Sequence, residues 1–512
     1  MTPLLLSRIA QAVNGRLVLS GDHDADPSID TLVTDTRKLD ADNATAALFV
    51  AIKGEQFDGN DYVAQAAAHG ARAALVSRQA DVSIPQIVVA DTERALASLA
   101  ASIQQPRSTK VLAVTGSNGK TSVKTLIFSI LEAAVAAQGM PGRAYTTPGN
   151  RNNEIGLPLA VIDAPDDALY AIYEMGAGRP GDIAYLTAIV RPDVALVNNV
   201  APAHIERMGS LLGIADTKAA IYDALPADGV AAINADDAFA PYFAERAHGH
   251  RLIRFGLDAT ADVTARDIAL DAEGSRFVLV TPQGEADVAI AMPGRHNVLN
   301  ALAATSLALG AGIALEMIAA GLNAAQPVVG RLNTHRLAGG TILIDDSYNA
   351  NPGSLHAAID TLASAGGERW LVLGDMRELG EDAVSLHAEV GRRAKASGIA
   401  RLYALGGLSA VAADAFGEGG RSFDTHASVA DALRADIAAV KELAAAVTPA
   451  GFAALRILIK GSRGSGMDRI VKDMLSKDML SKDMLSKDVL VEDTIVNDSP
   501  AHVAGGGDTD VA

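Results

Sequence analysis

Four aliphatic residues, Val111-Leu112-Ala113-Val114, run directly into Thr115-Gly116-Ser117-Asn118-Gly119-Lys120-Thr121, and a long helical pattern begins at about Thr121. A buried strand, a tight glycine loop and a helix, in that order, constrain the fold more than any other part of the chain. The strand needs a sheet covered by helices, and the loop must turn backbone N–H groups to one side. That is the setting of a phosphate cradle. Glycines let N–H groups face phosphate oxygens, the helix N-terminus adds a favourable dipole, the Lys120 ammonium neutralises charge, and the Thr121 hydroxyl can ligate Mg²⁺. The broad pattern places its first glycine where this chain has Val114, a departure of one position.

With 512 residues the chain is too long for one ordinary core and predicts three or four units. Hydrophobic residues are 49% and aromatics 4%, which suits helices packed closely on sheets. There are no cysteines, so disulfides and thiolate metal sites are excluded and any metal needs oxygen or nitrogen ligands. A formal net charge of −18 argues against general nucleic-acid binding but leaves room for a small anion held by local donors. The N-terminus MTPLLLSRIAQAVNG reads as an amphipathic helix without the basic start of a signal peptide, and no apolar run is long enough to span a membrane. A reducing cytoplasm fits these features.

Strand and helix signals alternate, which predicts α/β units with parallel sheets. Residues 1–107 form a first unit, with strands at 48–52, 73–76 and 87–89, a helix at 62–69 ended by Gly70, and Thr92 capping the next helix. Gln104 to Ser108 read as a polar linker. Residues 108–330 form a second unit around the glycine loop, with strands at 168–173, 194–198 and 230–234 and an antiparallel side sheet within 262–292. Residues 331–470 form a third, with strands at 341–344, 370–373, 402–404 and 456–459. In the tail from 471 to 512 the pentapeptide Met474-Leu475-Ser476-Lys477-Asp478 repeats twice more, and a degenerate copy follows at 489–493. A period of five matches neither helix nor strand, so this tail is expected to be a low-complexity appendage that at most extends the last helix by a few turns.

Several side chains have two readings on residue type alone. Glu174, in Glu174-Met175-Gly176-Ala177 after a strand, is at the strand end where ligands bind such sheets and can hold Mg²⁺ through oxygen, or it caps a helix. His204 is a ligand or a satisfied structural histidine. Lys218 is a functional group or an ordinary exposed helical lysine. Asp345-Asp346-Ser347-Tyr348-Asn349-Ala350-Asn351-Pro352 is an Asx/Pro turn whatever else it does.

The short loop Thr-Gly-Ser-Asn-Gly-Lys-Thr resembles that of the Mur ligase family, whose members join amino acids or peptides to cell-wall precursors; folylpolyglutamate synthases share the architecture. Other segments resemble the same family in the same order across residues 1 to about 470. They are Asp35-Thr36-Arg37, Asp58-Gly59-Asn60, Thr146 through Gly156, Asn198 through His204, Gly294 through Ala301, Asp345 through Pro352, Leu373 through Gly380, and Lys460-Gly461-Ser462-Arg463. The resemblance implies three domains: a central P-loop parallel-sheet domain, an N-terminal UDP-binding α/β domain and a C-terminal Rossmann-like α/β domain. It implies that ATP is held by Gly116, Ser117, Asn118, Gly119, Lys120, Thr121 and Ser122, with His296 and Asn300 beside the adenine and Arg331, Asp346, Tyr348 and Asn349 completing the nucleotide site. It further implies catalytic roles for Lys120, Glu174, His204 and Lys218, and Mg²⁺ bound by Thr121, Glu174, His204 and, if it carries a carbamate, Lys218.

Within the family, the segments at 146–156 and 345–352 resemble the branch that adds D-alanyl-D-alanine to UDP-N-acetylmuramoyl-tripeptide in peptidoglycan precursor synthesis, a step on which cell shape and division depend. Substrate contacts are then implied for Thr36, Arg37, Asn60, Thr147, Asn150, Asn152, Asn153, Glu154, Lys460 and Ser462, in a monomeric enzyme. The branch that adds the third amino acid typically carries Asp-Asn-Pro-Arg where this chain has Gly374-Asp375-Met376-Arg377. A P-loop switch that hydrolyses ATP alone is the alternative from another class.

Overall fold

The computed structural model describes residues 1–19, 26–39, 46–54, 56–202, 205–271, 273–447 and 455–476. Its centre is a six-stranded, all-parallel sheet in the order Arg251–Phe255, Val230–Asn234, Val194–Val197, Lys110–Thr115, Tyr170–Glu174, Ala144–Thr146. The inner strands Lys110–Thr115, Val194–Val197 and Val230–Asn234 are dominated by Val, Ile, Leu and Ala and are buried almost throughout, as a sheet sandwiched between helices requires. Lys110–Thr115 lies mid-sheet, where the chain's path to either side reverses, so the loop after it opens into the crevice where such sheets bind ligands. The antiparallel side sheet expected within 262–292 is present as Thr264–Leu270, Ser275–Thr281 and Gly284–Ile290.

The first unit carries a five-stranded sheet ordered Arg16–Val18, Gln86–Val88, Ala73–Val76, Ala47–Val50, Thr31–Val33, antiparallel only at the first pair. Asp91, not Thr92, caps helix Thr92–Gln104: its carboxylate accepts from the amides of Glu93 and Arg94 at 2.9 and 3.0 Å. The Thr92 hydroxyl instead donates inward to the Ala51 carbonyl, 2.8 Å away. The linker at 104–108 is pinned, because the buried Arg107 guanidinium donates to the carbonyls of Val161 and Ala164 and pairs with Asp166.

The C-terminal sheet runs Asn333–Arg336, Ile342–Asp346, Arg456–Lys460, Arg369–Gly374, Arg401–Leu405, Gly420–Phe423. The last strand of the chain is inserted between two earlier ones, so Asp346, Gly374 and Lys460 end side by side on one edge. The core on one face of this sheet continues into a helical turn at 468–476, where Val471 and Met474 are buried. The first methionine of the pentapeptide repeat is therefore a core residue. The repeat beyond 476 lies outside the described residues.

The units join in two different ways. Leu96, Leu99 and Ala100 of the first pack into one continuous core with Leu157, Val161, Ile183 and Leu186 of the second. Among the described residues no buried apolar cluster links the second unit to the third. Side-chain hydrogen bonds cross that boundary instead: Asn351 Nδ2 donates to Asn118 Oδ1 at 2.7 Å, and Arg331 donates to Thr121 Oγ1 at 2.9 Å. Polar interfaces of this kind allow domains to move against each other.

Candidate active site

A cavity of about 990 Å³ opens where the three units meet. It is lined by Glu93 and Arg94 from the first, by Ser117 to Ser122, Asn152 to Glu154 and Glu174 from the second, and by Tyr348, Asn349 and Lys460 from the third.

The glycine loop is clamped by neighbouring asparagines. The Ser117 amide donates to the Asn199 carbonyl at 3.0 Å, and the Asn118 amide to Asn199 Oδ1 at 2.8 Å. Asn198 Nδ2 donates both to the Asn118 carbonyl and to Asn300 Oδ1, and Asn300 Nδ2 donates to Asn297. Asn300 lines the cavity, and its amide oxygen and nitrogen each already hold a partner, Asn198 and Asn297. Helix Lys120–Ala137 starts without a side-chain cap, so its first-turn N–H groups are the donors available to an anion. Gly119 has φ +77°, and a Cβ there would sit 2.5 Å from Asn300 Oδ1 and 2.6 Å from Asn198 Nδ2. Gly119→Ala is accordingly expected to lower nucleotide affinity about tenfold or more, at a strain of about 1–3 kcal/mol. Calorimetric titration with nucleotide checks this, and an affinity like that of the unaltered chain would contradict it.

Lys120 bends over its own loop, donating to the carbonyls of Gly116 at 2.7 Å and Ser117 at 3.4 Å. Burial holds its ammonium below the usual lysine range against the opposing pull of Glu174. Its partners are neutral carbonyls, so a phosphate can recruit it without breaking an ion pair. Glu174 ends its strand buried, with Oε2 accepting from the Thr121 hydroxyl at 3.0 Å and Oε1 from Asn152 Nδ2 at 2.8 Å. Burial alone would raise its pKa; Lys124 and Lys120 outweigh that and keep it below the usual carboxylate range. Arg331 bridges from the unit junction to Thr121 and lies 4.5 Å from the centre of the Tyr348 ring. His296 lines the cavity as a neutral imidazole, its pKa depressed to about 4 by burial.

Lys218 does not fit the reading of an exposed helical lysine. It is 3% exposed in helix Leu211–Asp223, it has no hydrogen bond or ion pair with a described residue, and burial together with the charge of Lys120 brings its pKa down to about 7. His204 lies outside the described residues.

The residues expected to contact substrate divide. Asn152, Asn153, Glu154 and Lys460 line the cavity. Lys460 is held there by Asp346 at 2.6 Å and by the Asn349 carbonyl at 2.9 Å. Ser462 turns into the protein, where it accepts from the Arg377 amide and donates to the Ala350 carbonyl, tying together two of the loops at the sheet edge. Thr147 is buried against Glu174, and Asn150 is exposed away from the cavity. Thr36, Arg37 and Asn60 gather at the C-terminal edge of the first unit's sheet, apart from the cavity lining. Arg37 is exposed and paired with Asp35 at 2.8 Å. The Asn60 amide is fully used on Asp58 and Ser77, a knot between two strand ends.

Lys124 and Asn351, the latter named above only as part of the 345–352 turn, also belong here. Lys124 reaches Glu174, and Asn351 reaches the glycine loop. Lys124 had a legible signal, since it follows Lys120 by one helical turn and so shares its face. Asn351 had none, because its partner is 233 residues away.

Three family profiles match the chain: the Mur ligase family catalytic domain over residues 34–115, the Mur ligase middle domain over 114–308, and the Mur ligase glutamate ligase domain over 330–463. The UDP-N-acetylmuramoyl-tripeptide--D-alanyl-D-alanine ligase of Escherichia coli K12 is 40% identical over 473 residues, covering 92% of this chain and 98% of that one. A crystal structure of MurF from Acinetobacter baumannii superposes with a TM-score of 0.83 at 34% identity, covering 93% of this chain and 99% of that one. MurF ligase from Thermotoga maritima, solved in complex with ADP, superposes at 0.74 with 27% identity, covering 88% and 98%.

Proposed function

This chain belongs to the Mur ligase family, and from that premise we propose that it joins D-alanyl-D-alanine to UDP-N-acetylmuramoyl-tripeptide at the expense of ATP, in peptidoglycan precursor synthesis. The observation that carries this reading is the convergence of an uncapped glycine-loop helix, a buried carboxylate and the third unit's strand ends on one cavity. A switch that only hydrolyses ATP would not need a cavity shared by three units.

The tripeptide's carboxylate attacks the γ-phosphate to give an acyl phosphate and ADP. The dipeptide amine then attacks the acyl carbon and displaces phosphate, giving the new peptide bond. Carboxylate and nucleotide are both anions, so cations must lie between them. Lys120 and Arg331 converge on that point from two units. Thr121 Oγ1 and Glu174 Oε2, 3.0 Å apart, are oxygen donors of the kind a hard divalent cation takes. Thr121 and Glu174, together with His204 and Lys218 if it carries a carbamate, would hold Mg²⁺, which would neutralise charge on the transferring phosphoryl group. Asn118–Asn351 and Arg331–Thr121 draw the third unit over the loop, which excludes the water that would hydrolyse an acyl phosphate.

The first unit's strand-end residues Thr36, Arg37 and Asn60 face the uridine diphosphate end, with Asn60 shaping the site and not contacting it. The protein acts as a monomer in the cytoplasm, where its nucleotide-linked substrates are. No helix among the described residues is long and apolar enough to cross a membrane. The deciding experiment measures phosphate release with ATP and Mg²⁺, adding the UDP-tripeptide and D-alanyl-D-alanine singly and together. Release that requires both, with equimolar peptide product, is expected. Equal release without them would replace the ligase reading by the switch, and product with a free amino acid and a shorter precursor would replace it by the sister ligase.

A further inference from the structure

Lys124 is a buried lysine, 5% exposed, one turn after Lys120 on the same helix. Its ammonium makes three contacts. It donates to the Gly149 carbonyl at 2.7 Å and to the Thr147 carbonyl at 3.1 Å, and it lies 3.4 Å from Glu174 Oε2. The same two partners are tied a second time, because the Glu174 amide donates to Thr147 Oγ1 at 3.1 Å. They are tied a third time by Asn152, whose side chain donates to Glu174 Oε1. Segment 147–152 and the carboxylate at the strand end are thus one mechanical piece, with a single cation at its centre. A few residues on, Asn153 and Glu154 line the cavity.

We propose that Lys124 is a positioning residue that couples the substrate segment 147–154 to the metal-binding carboxylate Glu174. The inference rests on the ligase reading above. Its physical content is a competition at one oxygen. Glu174 Oε2 is shared by Thr121 and Lys124, so a divalent cation arriving there meets an ammonium already in place. The ammonium then relies on the carbonyls of Thr147 and Gly149, which are fixed when that segment is ordered by substrate. Bound tripeptide and bound metal therefore change each other's affinity, and by linkage the change is the same in both directions.

The test is Lys124→Met, which keeps the length and removes the charge and the donors. Affinities are measured by calorimetry on the full chain: UDP-tripeptide in the absence of nucleotide and metal, and Mg²⁺ with the ADP-loaded protein. Loss of the loop's donor should weaken tripeptide binding by about tenfold, as for a buried hydrogen-bond network left unmade. Loss of the competing charge should tighten Mg²⁺ by about threefold or more. A merely structural lysine cannot give this split, because a loosened fold weakens both. Lys124→Gln, shorter and neutral but still a donor, should tighten Mg²⁺ equally and recover part of the tripeptide affinity, and it serves if the methionine variant does not fold. Parallel weakening of both ligands, or no change in either, overturns the proposal. Tripeptide binding by the unaltered chain in the same titration separates that failure from failure of the ligase reading.

Discussion

Replacing Lys120 by alanine is expected to abolish substrate-dependent phosphate release, a loss of about a thousandfold or more. The other lysines of the site are already engaged. Lys124 is held by two carbonyls and Glu174, and Lys460 is held by Asp346 on the far wall of the cavity. Arg331 approaches the loop at Thr121, beyond the residues whose carbonyls Lys120 caps. The variant should fold, since Lys120 makes no ion pair and its two acceptors are loop carbonyls that water can satisfy. It should also bind the UDP-tripeptide, because the first unit's strand ends do not touch it. Phosphate release and calorimetry on the same preparation separate the two effects. Near-normal turnover would remove the glycine loop from the chemistry.

The second large effect is expected at Lys218. A lysine with its pKa lowered to about 7 is part neutral amine at neutral pH, whereas an ordinary lysine is neutral only above about 10.4. The neutral nitrogen can add to CO₂, forming an N–C bond and releasing a proton, so that a cation becomes an anion. The field of Lys120 that disfavours the ammonium favours the carbamate. Lys218→Ala should therefore cost about a hundredfold or more in turnover, with partial recovery in a short-chain carboxylate that can enter the space left behind. The sign with pH follows from the direction of the shift: adduct formation persists down to about pH 7 and falls away below it as the amine protonates. Carbon-13 NMR of the protein in labelled bicarbonate reads the adduct directly. Full activity with no labelled carbon on Lys218 would reject the assignment.

Lys218 also shows where reading the chain stopped. Ala215-Asp216-Thr217-Lys218 sits in a helical pattern that gives no reason to bury one particular lysine. Burial came from packing that helix on the central sheet, with Ala215, Ala219 and Tyr222 in the same core. Asn60 and Ser462 show the opposite case. Their residue types suit substrate contact, but neighbouring strand ends consumed their polar atoms first. Asn300 lines the cavity and is also engaged with Asn198 and Asn297, neighbours that no local pattern announces.

The sequence by itself determined the strand-loop-helix at 111–121, the alternation that makes parallel sheets, and the order of the polar segments that end their strands. These are local properties: hydrophobic periodicity, glycine where φ must be positive, a lysine at the start of a helix. Tertiary structure alone decided which of those segments meet. It brought Asn351 to Asn118 and Arg331 to Thr121, set Lys124 under Glu174, and left the first unit sharing a core with the second while the third is joined by polar contacts. The reason is that sheet order and domain contact depend on pairings between residues far apart in the chain, whose energies no local pattern records. The glycine loop announces a phosphate, but what that phosphate reacts with depends on the two walls that folding brings to face it.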